Sequence, residues 1–586
     1  MGQKENTARP APKPRRPPLW PWVCLALTVL FVIGVRVRLL PVPLERDEGE
    51  YAYAGQLILE GIPPYQLVYN VKFPGTYAAY ALLMAVFGQT PVGIHLGLLV
   101  VNLGAILLLF FLARRLFDPY ASAITSATYA LMSISPPVVG FAAHATHFVI
   151  VAALGGLVLL LRALGSGRLP TFFTSGLLFG IALLMKQPGV FFGAFAFMVL
   201  LFEQGPQGNR LPAHAPALES EPTGRPESGA TKGLAGLKVR APLRRFFGAR
   251  RQTGSGRFHL QPIAVFALGV LTPVALTCLL LWRAGVFEKF WRWTVLYASG
   301  HSLPFSFRWL FAYFRRWNGP DIVFWCFALI GLLVLCVERT VPRWTKGFVA
   351  GLLLCSFLAV CAGFYFTWHY FVLLLPAVGL LVGAGCAVAR QRLRTTRLGQ
   401  LGAALPTVVF LVASALILAK HRIYFFLESP VDICHRTYAG NPFVEAQAVA
   451  DYIRAHSSSD IRVAVLGSEP EIYFYSHRHS ATGYIYMYDL ASTQAHAAEM
   501  QQEMFREIEA ARPEFVIFLH NRLSWYLPQS LKDKTVVQWL NKYLNGDFRL
   551  VGLADHFDDR IIYRWDQEVA GYSPASVFYL LLFQRK

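Results

Sequence analysis

A succession of apolar stretches, each close to the length of a membrane-crossing helix, dominates the chain as far as residue 420. A bilayer core requires about 20 predominantly apolar residues per helix. The chain is also 55% hydrophobic and only 15% charged, which excludes an ordinary soluble protein. The sequence therefore predicts a multi-span α-helical membrane protein whose transmembrane domain covers residues 20–420. We expect about eleven transmembrane helices, near residues 20–41, 91–112, 120–140, 145–164, 170–185, 188–203, 260–282, 321–337, 347–363, 368–388 and 399–419.

Two apolar features are shorter than an ordinary crossing helix. The stretches 170–185 and 188–203 are joined tightly at Lys186-Gln187-Pro188, which predicts a hairpin of shorter helices. Residues 76–87 are apolar but too short to cross with ease. For these residues we expect a helix that lies at the membrane interface.

Basic residues set the predicted orientation. The net charge is +20, and Lys and Arg gather in short clusters between the apolar stretches, where the positive-inside rule expects cytoplasm. The basic tail, residues 1–19, and the polar loop 204–258 are then cytoplasmic, and the composition of that loop predicts disorder. An odd span number places residues 43–90 (the first outer loop), 284–320 and everything after 420 outside. We therefore expect a multi-pass protein of the cytoplasmic (inner) membrane whose charge faces membrane lipids, with no nucleic-acid partner.

The composition changes after residue 420, where strand-like and helix-like segments alternate. This alternation predicts a compact extracytoplasmic α/β domain over residues 437–566, followed by a C-terminal tail over 567–586. The predicted elements are a helix from Asn441-Pro442 to about 456, strands at 461–466 and 513–519, helices at 491–511 and 530–544, and strands at 548–553 and 560–565.

The first outer loop carries the charges that are hardest to explain by structure alone. Asp47 and Glu48 follow the first span, and Lys72 comes later in the same loop. Such a pairing suits group transfer from a lipid phosphate, because a carboxylate can take a proton from an acceptor hydroxyl and a cation can stabilise the departing phosphate. Taken singly, Asp47 could cap a helix and Lys72 could extend to the membrane surface. The whole set, with Arg46 and Tyr51, favours a functional site.

Three groups of motifs carry a family resemblance. They are Asp47-Glu48, Gly61 with Tyr65 and Lys72-Phe73-Pro74 in the first outer loop, Met185-Lys186-Gln187-Pro188 at a later turn, and Trp368-His369-Tyr370-Phe371 with Leu375-Pro376. The pattern resembles the glycosyltransferase C superfamily. Within it, the chain is most similar to the branch that holds protein O-mannosyltransferases and the bacterial aminoarabinose and Rgt-type sugar transferases.

The resemblance implies an integral membrane glycosyltransferase of cell-envelope glycan synthesis. Such an enzyme transfers one hexosyl or pentosyl group, with inversion, from a polyprenyl-phosphate donor to a hydroxyl of a lipid, glycan or protein acceptor on the outer face of the membrane. It implies that Asp47 is the base and Glu48 a supporting carboxylate. The remaining roles are donor-phosphate binding by Lys72, Arg46 and Lys186, and donor or acceptor contacts by Tyr51, Tyr65, His369 and Tyr370.

The sequence assigns no residue to a metal but leaves room for a divalent ion. His144 and His147 lie one helical turn apart, yet no acidic third ligand is close in sequence, and a bound metal needs three or four ligands. A polar seam that faces a cavity is the favoured interpretation of this pair. Asn70-Val71 stand where the aminoarabinose branch has an acidic residue, so the metal site of that branch is not predicted here.

The alternative function is a multi-span transporter or lipid flippase. Transporters usually show paired repeats and charges near the bilayer midplane. This chain shows no clear repeat, and its acidic residues gather at the outer rim. A ligand-sensing outer domain would leave Asp47 and Lys72 unexplained. For the outer domain we take acceptor selection as a hypothesis, under which deletion of residues 437–586 changes acceptor choice but spares donor hydrolysis.

Overall fold

A computed structural model describes residues 18–204, 260–298, 305–318, 321–488, 490, 496–525, 534–557 and 560–586. The predicted cytoplasmic loop 204–258 lies outside the described residues apart from residue 204, and so does the basic tail 1–19 apart from residues 18 and 19.

Helices make up most of the described residues in the first part of the chain, as the apolar stretches predict. Its helices are α1 (Trp20–Leu39), α2 (Arg46–Leu59), α3 (Pro74–Phe87), α4 (Pro91–Leu116), α5 (Pro119–Ser133), α6 (Ala145–Ser166), α7 (Leu169–Met185), α8 (Gly189–Gln204), α9 (Leu260–Arg283), α10 (Phe287–Trp291), α11 (Phe307–Asn318), α12 (Ile322–Val337), α13 (Arg343–Cys361), α14 (Leu375–Arg394) and α15 (Gly399–Lys420). Short 3-10 segments lie at Pro136–Val138, Ala362–Phe364 and Trp368–Leu374, and π-helical turns at Arg292–Tyr297 and Ile423–Leu427.

A helix stands at each predicted span. Among the described residues, seven helical segments are long and apolar enough to cross a membrane: Trp20–Leu39, Pro91–Leu116, Ala145–Ser166, Leu260–Arg283, Arg343–Phe364, Trp368–Arg394 and Gly399–Lys420. At the other four predicted spans, α5, α7, α8 and α12 have 15, 17, 16 and 16 residues. The prediction of a multi-span helical membrane protein is confirmed.

The predicted span 120–140 is wrong in its last third. Helix α5 ends at Ser133, because Pro136 and Pro137 follow and proline cannot continue a helix. The chain then runs as a largely buried loop to His144, the residue before α6. This loop brings residues 143 and 144 beside the first turn of α2.

The C-terminal domain, which the sequence predicts to lie outside and which we call the outer domain, has helices on a mixed six-stranded sheet in its described part. Its elements are α16 (Pro430–Thr437), α17 (Glu445–Ala455), β1 (Arg462–Leu466), α18 (Glu471–Ser476), β2 (His479–Ser480), α19 (Ala497–Ala511), β3 (Phe515–His520), α20 (Arg522–Trp525), α21 (Lys534–Leu544), β4 (Phe548–His556), β5 (Ile561–Trp565), a 3-10 turn (Asp566–Val569) and β6 (Tyr579–Arg585). The strand order is β2-β1-β3-β6-β4-β5. Strands β2, β1 and β3 are parallel neighbours, and the other pairings are antiparallel.

The predicted tail 567–586 is corrected by the sheet. Strand β6 lies between β3 and β4, with Leu582 opposite Ile517, so the end of the chain is part of the domain core. Leu580 and Leu582 are buried. The run Tyr-Leu-Leu-Leu-Phe has the continuous apolar character of a strand covered on both faces, which the division at residue 566 overlooked.

The outer domain packs directly on α2. A Cβ atom added to Gly49 would lie 2.7 Å from the backbone nitrogen of Glu471, so the first turns of α2 and α18 are in close contact. Hydrogen bonds join the two parts at Leu44 N to the Tyr475 hydroxyl (2.8 Å) and at Ser480 N to the Tyr53 hydroxyl (2.7 Å). The outer domain therefore covers the helix that carries the predicted acidic pair.

Candidate active site

Helix α2 and the segment before α3 meet at Lys72. The Lys72 ammonium donates to Asp47 Oδ1 at 2.7 Å and to Glu50 Oε2 at 2.5 Å. Asp47 and Glu50 are three residues apart, so both carboxylates lie on one face of the helix. The Glu50 side chain is fully buried, whereas 26% of Asp47 and 23% of Lys72 are exposed. The Asp47–Lys72 pair is therefore the part of this cluster that a ligand can reach.

The first turn of α2 fixes the position of Asp47. Glu45 is the N-cap, and its carboxylate accepts a hydrogen bond from the Glu48 amide at 3.0 Å. A helix N-terminus stabilises nearby negative charge, so the sequence Glu45 to Glu48 suits this place in the fold. Asp47 consequently stands on a rigid, capped turn.

Several hydrogen bonds fix the segment that carries Lys72. Tyr65 is fully buried and has a positive φ of 68°, and its hydroxyl donates to the Lys72 carbonyl at 2.7 Å. Asn70 donates to Glu50 at 3.0 Å, and Gln187 donates to the Val71 carbonyl at 2.6 Å. The Lys72 segment is thus tied both to α2 and to the turn between α7 and α8.

Charge pairing keeps Asp47 and Lys72 ionised. Burial by itself would raise the pKa of Asp47, but the Lys72 ammonium lowers it far below its usual range. Burial would lower the pKa of Lys72, yet Asp47 and Glu50 raise it well above its usual range. Burial raises the pKa of Glu50, although Lys72 opposes that shift. At neutral pH the exposed pair is therefore a carboxylate and an ammonium.

Aromatic rings surround the ammonium group. The Lys72 nitrogen lies 4.6 Å from the centre of the Tyr51 ring and 5.3 Å from that of Tyr486 in the outer domain. Both distances are within the range of cation–π attraction. The Tyr486 hydroxyl also lies 3.3 Å from Asp47 Oδ1 and donates to the Arg46 carbonyl at 3.1 Å. The outer domain therefore forms part of the site.

A second lysine approaches the same region from the turn between α7 and α8. The Lys186 nitrogen lies 3.9 Å from the centre of the Tyr370 ring. Burial lowers the pKa of Lys186 to about 7, while the charge of Asp47 raises it and that of Lys72 lowers it. Lys186 can therefore gain or lose its charge near neutral pH.

Asp47, His144 and His369 form a cluster with the donor set of a transition-metal site. One ligand atom from each lies within 4.8 Å of the other two. The two imidazole rings are stacked, with centroids 4.0 Å apart and an interplanar angle of 16°. Both nitrogens of His144 and Nδ1 of His369 are buried without a hydrogen-bond partner. Burial lowers the pKa of His144 to about 4, so its lone pair is available at neutral pH.

Three predicted site residues have other contacts. Glu48 is fully buried and accepts hydrogen bonds from His95 at 3.0 Å and from the Ala143 amide at 2.6 Å, so it anchors α2 and does not touch Lys72. Arg46 points into the outer domain, where it forms an ion pair with Glu469 at 3.0 Å. The Tyr65 hydroxyl donates to the Lys72 carbonyl and so fixes the backbone position of the lysine.

Glu50, Tyr486 and the approach of His144 to Asp47 were not predicted from the sequence. Glu50 carried a usable signal, because residues three apart on a helix share a face. The convergence of Tyr486 and His144 on Asp47 depends on tertiary contacts across more than one element, which no local pattern in the sequence indicates.

Comparisons with known proteins agree on one kind of fold. The family described as dolichyl-phosphate-mannose-protein mannosyltransferase matches residues 72–215. Among solved structures, ArnT from Cupriavidus metallidurans in the apo state has a TM-score of 0.55 and 14% identity, over 96% of this chain and 97% of that chain. The same protein bound to undecaprenyl phosphate has a TM-score of 0.54 and 13% identity, over 96% and 98%.

A further solved structure is the oligosaccharyltransferase of Archaeoglobus fulgidus with a tethered acceptor peptide, at a TM-score of 0.48 and 12% identity over 94% of this chain and 74% of that chain. The curated proteins contain no match to the sequence.

Proposed function

We propose that the chain is a membrane glycosyltransferase of the glycosyltransferase C superfamily, which transfers one sugar, with inversion, from a polyprenyl-phosphate donor to an acceptor hydroxyl. The basic loops support a site on the outer face of the cytoplasmic membrane, with the N-terminus in the cytoplasm. Undecaprenyl phosphate, which ArnT binds in its solved complex, has the chemistry that we propose for the donor carrier.

One observation carries the proposal. In the cluster of Asp47, Glu50 and Lys72, which we call the α2 cluster, the exposed pair is Lys72 bound to Asp47 at 2.7 Å. Inverting transfer needs a carboxylate for the acceptor proton and a cation for the leaving phosphate, close together. Lys186 adds a second cation near the same carboxylate. Each ammonium group also lies within cation–π distance of an aromatic ring, Tyr51 for Lys72 and Tyr370 for Lys186.

The proposed reaction is a single displacement. Asp47 accepts the proton of the acceptor hydroxyl while the hydroxyl oxygen forms a bond to the anomeric carbon. The bond from that carbon to the phosphate oxygen breaks, and the electron pair leaves with the polyprenyl phosphate. Lys72 and Lys186 stabilise the negative charge that the phosphate gains. Attack from the side opposite the leaving group inverts the anomeric configuration.

Donor binding would also activate the base. In this structure Lys72 holds the pKa of Asp47 far below its usual range, which makes Asp47 a weak proton acceptor. A donor phosphate that draws Lys72 away would leave Glu50 as the partner of the lysine and release Asp47. The pKa of Asp47 then rises, and the base gains strength when the donor is in place.

Asp47, His144 and His369 would hold a divalent metal ion, should the enzyme use one, and such an ion would supply positive charge for the donor phosphate. Without a metal, His144 and His369 would still shield the base, because their stacked rings line one side of Asp47. This shielding would limit the access of water to Asp47.

The test is transfer of labelled sugar from a panel of polyprenyl-phosphate sugars by the purified protein. We expect wild type to consume one donor, and Asp47→Asn and Lys72→Ala to lower the kcat of the folded protein by at least about 100-fold. The thermal melt of Asp47→Asn should stay close to that of wild type, whereas Lys72→Ala should also lower stability, because it leaves the buried Glu50 without its cation. Lys289→Ala is the matched control, because Lys289 is an exposed outer lysine that donates to the Tyr69 hydroxyl at 2.7 Å.

The alternative function gives a different result. If no donor is consumed and Asp47→Asn changes nothing, the α2 cluster is structural and a transport function takes precedence. If Lys289→Ala lowers activity as much as Lys72→Ala, the effect comes from general positive charge and the assigned role of Lys72 fails.

A further inference from the structure

A cavity of about 440 Å³ lies beside the α2 cluster, between the membrane domain and the outer domain. Three arginines line it, and each comes from a different element: Arg46 starts α2, Arg316 lies on α11 and Arg436 on α16. Among the described residues, Glu45 is the single carboxylate in the lining itself. The lining therefore presents three guanidinium groups, two of which also have carboxylate partners behind them.

Two of these arginines are held in fixed orientations. Arg436 forms a two-point contact with Glu428, at 2.7 Å from Nε and 2.6 Å from Nη2. Arg46 uses Nε on the Ser468 carbonyl and Nη2 on Asn441 and Glu469. These bonds leave Nη1 of each guanidinium outside the pairing. Preoriented guanidinium groups are well suited to phosphate oxygens.

The cavity is separate from the lysine site but borders the same base. Lys72, Lys186 and Glu50 do not line it. Glu45, which does, lies 3.7 Å from His144, and the lining residue Trp368 precedes His369 in sequence. His144 and His369, which line one side of Asp47, therefore border both the lysine site and the arginine cavity.

A glycosyltransferase must bind two ligands next to its base, and the lysines account for the donor phosphate only. We propose that the arginine cavity binds a phosphate group of the acceptor, so that the acceptor hydroxyl is presented to Asp47. The identification of the ligand as an acceptor rests on the proposed function. The binding of phosphate in the cavity does not depend on it. The acceptor would then be a phosphate-bearing molecule.

Helix α11 suggests how such an acceptor reaches the cavity. Phe307 and Phe311, one turn apart on this helix, are 76% and 67% exposed, and such a face suits contact with lipid at a membrane surface. Arg316 of the same helix reaches the cavity lining. A phosphate on a lipid and a phosphate on a soluble molecule offer the arginines the same chemistry, so the experiment must separate them.

The experiment measures binding to purified wild-type protein in micelles of an uncharged, phosphate-free maltoside detergent, with no sugar donor present. The probes are glycerol 3-phosphate with glycerol as its phosphate-free control, and dioctanoyl phosphatidylglycerol with dioctanoylglycerol as its phosphate-free counterpart. We expect the phosphate-bearing probe to bind and Arg316→Gln to weaken its Kd by about tenfold. Arg315→Gln is the matched control, because Arg315 is an exposed neighbour on α11 outside the lining.

Lys72→Ala separates this site from the donor site. We expect it to leave probe binding within about twofold of wild type. Loss of binding in Lys72→Ala with no effect of Arg316→Gln would place the anion on the lysines and overturn the proposal. Equal loss in Arg315→Gln and Arg316→Gln would reduce the effect to surface charge, and absence of binding by wild type would also overturn it.

The two probes decide the source of the phosphate. Preference for dioctanoyl phosphatidylglycerol identifies a lipid-borne phosphate, and preference for glycerol 3-phosphate a soluble one. Since no donor is present, these results do not depend on transferase activity. A protein that fails the transfer assay yet binds phosphate through Arg316 would refute the proposed function and keep the phosphate site.

Discussion

Glu50, three residues after Asp47 on α2, accepts a hydrogen bond from Lys72 at 2.5 Å and holds the lysine from the buried side. Asp47 binds the same ammonium from the exposed side at 2.7 Å. The lysine therefore has one permanent carboxylate partner and one that a ligand can replace. Because Glu50 stays bound, Lys72 can move away from Asp47 and still keep a carboxylate partner.

Replacement of Glu50 by glutamine should impair turnover. In Glu50→Gln the lysine keeps only Asp47 as an anionic partner, so the pair tightens and Asp47 becomes a weaker proton acceptor. We expect kcat to fall by about 10- to 100-fold and stability to fall by about 1–3 kcal/mol. Steady-state kinetics and a thermal melt measure both.

Glu48→Gln is the matched control for this prediction. Glu48 is equally buried but binds His95 and the Ala143 amide, so its loss should lower stability more than turnover of the folded fraction. Equal kinetic defects in the two variants would show that the distinction between Glu48 and Glu50 is wrong.

The contrast between Glu48 and Glu50 shows how far the sequence could predict the site. Motif resemblance drew attention to Asp47-Glu48 as a pair, but adjacent residues on a helix point about 100° apart and cannot serve one partner. The helix itself was not predicted over Arg46–Leu59, and without it the i, i+3 relation to Glu50 has no meaning. Asp47 and Lys72, in contrast, are in direct contact, and their roles as base and phosphate ligand stay a prediction.

The fold was predictable where local composition decides it. Apolar length identified the membrane helices, and β-branched runs identified β1 and β3. Strand β6 was missed because the apolar run Tyr579–Arg585 follows a polar connection at the end of the chain, and its place between β3 and β4 depends on long-range pairing. The meeting of His144 with His369 is equally non-local, since it joins a loop to a distant helix entry.

Donor binding should depend on pH through Lys186. Burial lowers the pKa of this group to about 7, so it is charged below pH 7 and loses its charge as the pH rises. Bound donor favours the charged form, so the pKa is higher in the complex and donor affinity falls as the pH rises above 7. The donor phosphodiester does not titrate in this range. We expect Kd to increase by up to about tenfold per pH unit from pH 7 to 9.

Lys186→Arg separates this effect from other titrations. Arginine keeps its charge across the whole range, so the Kd of this variant should stay flat between pH 7 and 9. Isothermal titration with a non-transferable donor analogue gives the values directly. A wild-type profile without slope, or a variant with the same slope as wild type, would remove Lys186 from the donor site.

Metal content should follow the cluster of Asp47, His144 and His369. If the enzyme uses a divalent ion, elemental analysis of the purified protein should find it in wild type and find little in His144→Ala or His369→Ala. His147→Ala is the matched control, because His147 is also buried without a hydrogen-bond partner but lies outside the cluster. Chelation should then lower kcat in wild type and in His147→Ala alike.

Two outcomes would contradict this assignment. Loss of the ion in His147→Ala and His144→Ala together, with retention in His369→Ala, would restore the histidine pair that the sequence suggested. Full activity of wild type after complete removal of divalent ions would show that the stacked histidines serve Asp47 without a metal.

The contact of Gly49 with α18 tests whether the outer domain is part of the catalytic unit. A Cβ atom at this position would lie 2.7 Å from the backbone nitrogen of Glu471, which side-chain adjustment cannot relieve. Gly49→Ala should therefore push the outer domain away from α2 and lower stability by about 1–3 kcal/mol. Because Tyr486 of that domain lies 3.3 Å from Asp47, kcat should fall as well.

Gly34→Ala provides the comparison, since no atom lies within 4 Å of a Cβ added there and we expect a neutral effect. Thermal melts and transfer rates of both variants measure the prediction. If Gly49→Ala destabilises the protein but the folded fraction turns over at the wild-type rate, the outer domain only covers the site. In that case deletion of residues 437–586 should spare donor hydrolysis, as the acceptor-selection hypothesis requires. A joint loss of stability and turnover instead makes the outer domain part of the active site, because it holds α2 and Asp47 in place.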